Sequence, residues 1–149
     1  MKPKNNLSLP ILVTFGVIII QTTMGTPSLY AASVIVIANK NVNQSQLTKQ
    51  EIQDIFLGDK TTWNTGRHIV VVTLGPGAVH DEFIELYVKK TSAGFSRYWR
   101  RLLMTGRSRI PICFETENEL LDYVAKTDGA IGYISPELLN ETVKKIPIQ

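Results

Sequence analysis

Four short runs of apolar, largely β-branched residues punctuate the chain: Ser33–Ala38, Ile69–Val72, Ile110–Phe114 and Ala130–Ile134. They are apolar throughout rather than alternately polar, so they predict strands buried on both faces. Pro111 limits the third run, and Gly132 inside the fourth marks a close backbone approach. Helix signals separate them. Thr48 stands three residues ahead of Glu51 as a reciprocal capping box, with Leu47 and Ile52 placed as its hydrophobic staple. Ile52, Ile55 and Phe56 share one face of that helix, and Gly58 ends it. A loop holding Trp63 follows, with a turn at Asn64–Gly66. A second helix is predicted over Ala78–Lys90, with Val79, Phe83, Ile84, Tyr87 and Val88 on one stripe. Thr91–Gly94 interrupts it. A third helix spans Phe95–Met104, turning Phe95, Tyr98, Trp99, Leu102 and Leu103 inward and Arg97, Arg100 and Arg101 mostly outward. Thr116 and Glu119 repeat the capping box before a helix faced by Leu120, Leu121, Val124 and Ala125. Asp128-Gly129 turns the chain, Ser135-Pro136-Glu137 reads as a helix start, and Thr142–Ile148 adds an edge strand. Strands alternating with capped helices predict an α/β domain, a mixed sheet with flanking helices.

The amino end reads differently. Lys2 and Lys4 precede the apolar stretch Leu7–Ile20, and small and polar residues then lead to Ala31-Ala32. That is the layout of a secretory signal peptide. The apolar core of 14 residues is short for a lipid-spanning helix. Residues 1–32 are therefore expected to be a signal peptide, and 33–149 one domain that works in the periplasm or as a secreted protein. The chain has 16 basic and 13 acidic residues, and two of the basic ones, Lys2 and Lys4, lie in the leader. The remainder is nearly neutral, which speaks against a nucleic-acid-binding protein. Cys113 is the single cysteine, so no intramolecular disulfide forms, and its apolar neighbours predict a buried, inert thiol.

The break after the second apolar run is the best site candidate. In α/β domains ligands sit outside the carboxyl ends of strands, and the free N–H groups of a helix start attract anions. Thr73, Gly75, Gly77, Ala78, Val79 and His80 span that junction, and Asn39, ending the first strand, is expected close by. His80 reads either as a ligand contact or base, or as an exposed first-turn residue beside Asp81 and Glu82. Arg107 and Arg109 could hold an anion or form a solvated basic turn. Trp63, Tyr98 and Trp99 read as core anchors. His68 and His80 are the only histidines and show no zinc spacing. There is no G-x-S-x-G elbow and no phosphate-binding G-x-x-x-x-G-K-[ST] loop. No cofactor, no metal site and no enzymatic activity are expected.

Four stretches carry a family resemblance: Leu47-Thr48 with Glu51-Ile52, Ile55-Phe56, Gly58 and Trp63; the strand Ile69–Val72; Phe95–Gly106 around Tyr98-Trp99; and Val124 with Asp128–Ile134. Over residues 34–135 the chain resembles the phosphate-binding components of bacterial ABC importers, in a short one-domain form. The resemblance implies a reduced type II periplasmic-binding-protein-like fold. It also implies a solute-binding or sensing role, for phosphate or another small anion. The alternative is a ligand-free interaction module docking on a membrane sensor or ABC transporter. Full-length relatives carry an arginine and a Ser-Gly-Thr loop where this chain has Leu74–His80, and Thr73 is the only hydroxyl there.

Overall fold

A computed structural model describes residues 34–106 and 109–149, so the predicted leader and Arg107 lie outside the described residues. Strand β1 (Ile35–Asn39) leads to helix α1 (Lys49–Leu57) and strand β2 (Val70–Leu74). Helix α2 (Ala78–Phe83) continues as a π-helical turn over Ile84–Val88. Helix α3 (Ser92–Met104), strand β3 (Ile112–Phe114), helix α4 (Glu117–Lys126), strand β4 (Ala130–Ile134) and strand β5 (Val143–Lys145) complete the order. The sheet runs β3-β2-β4-β1-β5. Strand β2 is parallel to β3 and β4, whereas β1 is antiparallel to both β4 and β5. The domain is thus the expected α/β fold with a mixed sheet and flanking helices.

Both sheet faces are covered at the central strands, whereas the third run, β3, is partly exposed rather than buried on both faces. All five residues of β4 are buried. A Cβ built on Gly132 would lie 2.8 Å from Leu120 Cδ2 of α4 and 3.4 Å from Val72 O, so the glycine lets α4 sit against the sheet. The next side chain points the other way: Tyr133 stacks on Phe83 at 3.8 Å between centroids and meets Phe56 of α1 at 5.9 Å. Helix α4 therefore covers one face, and α1 with α2 the other.

The caps explain where the helices begin and end. Thr48 and Thr116 both make the full reciprocal box with Glu51 and Glu119. Gly58 closes α1 at φ 78°, the left-handed region in which a side chain is strained. Trp63 is buried and donates its Nε1–H to Gly129 O at 3.0 Å. Trp99 does the same to Phe56 O at 3.1 Å, and Tyr98 Oη to Leu57 O at 2.7 Å.

Four expectations need correction. Thr91 is the N-cap of α3, accepting from Gly94 N at 3.0 Å, so Ser92–Gly94 forms the first turn rather than a break. The α2 segment ends at Val88, not Lys90, because Lys89 turns into the left-handed region at φ 59°. Leu103 is 52% exposed rather than inward. Cys113 is exposed rather than buried. The last two share a cause: β3 is a three-residue edge strand, and among the described residues no strand pairs on its outer side.

Candidate functional site

Strands β2 and β3 run parallel with Leu74 opposite Phe114, so the segments after both strands emerge at the same end of the sheet. There a cleft of about 410 Å³ opens between Leu74–His80 on one side and Glu115–Asn118 with Leu138 on the other. Gly75 N donates to Phe114 O at 2.9 Å, which ties the loop to β3. Gly77 is extended, at φ 167°, and a Cβ built there would meet nothing within 4 Å. It faces open space in the mouth. The first N–H groups of α2, at Ala78, Val79 and His80, have no acceptor within their own helix by construction. Facing them are carboxylates. A Cβ built on Gly75 would lie 3.5 Å from Glu115 Oε2. Glu117 Oε1 accepts from Ser135 N at 2.5 Å, which fixes the second carboxylate in the wall.

Beneath the loop lies a buried polar chain. Leu74 N donates to Tyr133 Oη at 3.0 Å, and Tyr133 Oη meets His80 Nδ1 at 2.6 Å. The phenol oxygen thus accepts the Leu74 amide proton while its second contact is with the imidazole, and which of that pair donates depends on the His80 tautomer. Burial favours both neutral forms. It pushes the His80 pKa down, against the opposing field of Asp81, and pushes the Tyr133 pKa up. His80 is buried rather than an exposed first-turn residue. The ring pins the loop to β4.

The predicted residues divide. Gly75, Gly77, Ala78, Val79 and His80 line the cleft together. Thr73 instead lines a neighbouring hollow of about 270 Å³ with Phe95, Trp99 and Pro111, and Gly75 and His80 border both. Asn39 is elsewhere. Because β1 is antiparallel to β4, with Ala38 opposite Ile131, its carboxyl end lies at the far end of the sheet. There its Nδ2 donates to Val124 O at 2.9 Å and Ala125 O at 3.0 Å, closing the last turn of α4. Glu115, Glu117 and Tyr133 were not anticipated. The signal available for the two glutamates was their position directly after the third apolar run, once that run is taken as parallel to the second. Among the described residues there is no group of three or more side chains able to hold a metal.

The PBP superfamily domain matches residues 22–146, most of the chain. The chain belongs to this superfamily. Solved structures repeat the PBP fold. A phosphate ABC transporter substrate-binding protein from Clostridium perfringens, with bound phosphate, aligns with a TM-score of 0.63 at 21% identity, over 78% of this chain and 44% of its own. PstS from Borrelia burgdorferi gives 0.61 at 14% identity over 78% and 47%. An ABC-type phosphate transport receptor from Vibrio cholerae gives 0.53 at 19% over 78% and 46%. This PBP chain spans less than half the length of each.

Proposed function

We propose that this PBP domain is an extracytoplasmic solute-binding or sensing domain whose ligand sits in the cleft between Leu74–His80 and Glu115–Asn118. The observation that carries the reading is the pairing of a helix start with a carboxylate wall at the carboxyl ends of two parallel strands. N–H groups take an acceptor oxygen; Glu115 takes a donor. A protonated oxyanion, such as monohydrogen phosphate, offers both. The contact is mostly backbone, and no arginine among the described residues lines the cleft. Charge-assisted bonds are about twice as strong as neutral ones, so affinity for a fully charged anion is low.

Titration calorimetry with phosphate, sulfate and small carboxylates tests this. Phosphate heat is expected to be small and lost in Gly77→Val, whose side chain enters the open mouth without touching the core. Glu115→Gln should alter the pH dependence of binding. Equal affinity in wild type and Gly77→Val would place the site elsewhere. The second reading, a ligand-free module docking on a membrane sensor or transporter, is favoured by Glu115 and Glu117 opposing an anion. No heat with any solute, together with specific recovery of a membrane protein, would select it.

A further inference from the structure

The near-neutral charge of residues 33–149 conceals a segregation. Residues 89–109 contain seven lysines and arginines and no acidic residue, whereas the rest of 33–149 contains seven basic and all 13 acidic ones. Helix α3 carries the centre of this segment. Arg97, Arg100, Arg101 and Met104 are spaced by three, four and seven residues, so they share the face opposite buried Phe95 and Trp99. All three arginines are exposed, and none makes an ion pair with a described residue. Beside them Lys90 lies over the Tyr98 ring at 5.3 Å and lines a hollow with Arg97 and Arg101.

Apolar side chains stand at one end of this cationic face. Met104 is 87% exposed, Leu103 52% and Ile110 49%, and Ile112 on the β3 edge is 37% exposed. Leu103 and Ile110 border one hollow with Arg100, and Ile110 and Ile112 another with Arg109, so the prongs and the cations form one continuous surface.

We propose that the exposed face of α3 and the adjoining β3 edge dock on an anionic lipid surface. Cations beside protruding apolar groups match an interfacial site: the prongs enter the acyl boundary while the arginines stay with the headgroups. Lipid accepts separate prongs without matching pockets. A nucleic acid would offer Leu103 and Met104 no such environment. This inference does not depend on the solute cleft.

The single cysteine supplies a local probe, because Cys113 is exposed and borders the same hollow as Leu103 and Ile110. The full chain, labelled there with a polarity-sensitive fluorophore, is titrated with vesicles of phosphatidylcholine alone or mixed with phosphatidylglycerol. A blue shift is expected on the mixed vesicles and should reverse at high salt. The triple change Arg97→Gln, Arg100→Gln, Arg101→Gln should weaken the response about 100-fold, from roughly fivefold per arginine near an anionic surface. Met104→Asp should abolish the shift, and thermal melts confirm that these surface variants fold. An equal shift on pure phosphatidylcholine would overturn the proposal, because the apolar leader could then bring the label to lipid unaided. So would an unchanged Met104→Asp response, or a shift that polyglutamate reproduces without lipid, which would point to an acidic protein.

Discussion

Replacing Gly129 by alanine should be among the most damaging single-methyl changes available in this fold. The residue sits at φ 78°, and a Cβ built on it would lie 2.4 Å from His68 O, a backbone atom. Left-handed backbone costs a residue with a side chain about 1–2 kcal/mol. Relieving the overlap means moving the turn by roughly 1 Å, since non-bonded carbon and oxygen do not pack at that distance. Gly129 O accepts from Trp63 Nε1 at 3.0 Å and Val70 N at 3.1 Å, so such movement weakens both bonds. At about 1 kcal/mol each, the total reaches about 3–4 kcal/mol. A small domain has about 5–15 kcal/mol in all. At about 4 °C per kcal/mol for a domain of this size, the melting temperature should fall by roughly 12–16 °C. Two neighbours separate the causes. Gly66 shares the left-handed backbone, at φ 81°, but a Cβ there meets nothing within 4 Å, so Gly66→Ala should show only the conformational cost. Gly77 is extended and open, so Gly77→Ala should stay within about 0.5 kcal/mol of wild type. Circular dichroism melts, with near-ultraviolet bands following Trp63, provide the assay. A Gly129→Ala loss no larger than that of Gly66→Ala would refute the steric reasoning.

Trp99→Ala removes a buried ring and its bond to Phe56 O, and urea denaturation should show a loss of about 3–5 kcal/mol. His80 is held neutral by burial, its pKa below the unfolded value. Its contribution is therefore full above the unfolded pKa and lost as pH falls through the folded one, so the urea midpoint should decline between about pH 7 and 5. In His80→Asn that slope should flatten. Tyr133→Phe leaves Leu74 N and His80 Nδ1 without their shared partner, at about 1–3 kcal/mol, and should loosen amide exchange protection at Leu74. Cys113 should react fully with a thiol reagent in the native protein; protection until unfolding would show the β3 edge to be covered.

Local signals carried much of the fold into the sequence. Both capping boxes, the Gly58 stop, the Gly129 turn and the close approach at Gly132 are set by neighbours in the chain or by the absence of a side chain, and each appears where it was read. The direction of β1 was not legible, because strand sense depends on which strands pair, and β1 pairs with residues from the other end of the chain. That one ambiguity misplaced Asn39, which serves α4 rather than the cleft. Burial at the margins was likewise hidden. Leu103 and Cys113 have the composition of interior residues, and only the edge position of β3 exposes them. His80 misleads in the opposite sense, a polar residue in a first turn that finds its partner in Tyr133, far along the chain.

The position of β1 also sets an order of events during synthesis. The first strand to emerge lies between β4 and β5, the last two. Its surroundings close only when Pro147 O has received Leu47 N at 3.0 Å and Gln149 N has reached Leu47 O at 2.9 Å. Until β4 has been made β1 has no ladder to join, and the long closure between Ile35 and Ile134 makes that pairing slow. Such a sheet stays open through the synthesis of every element from α1 to α4.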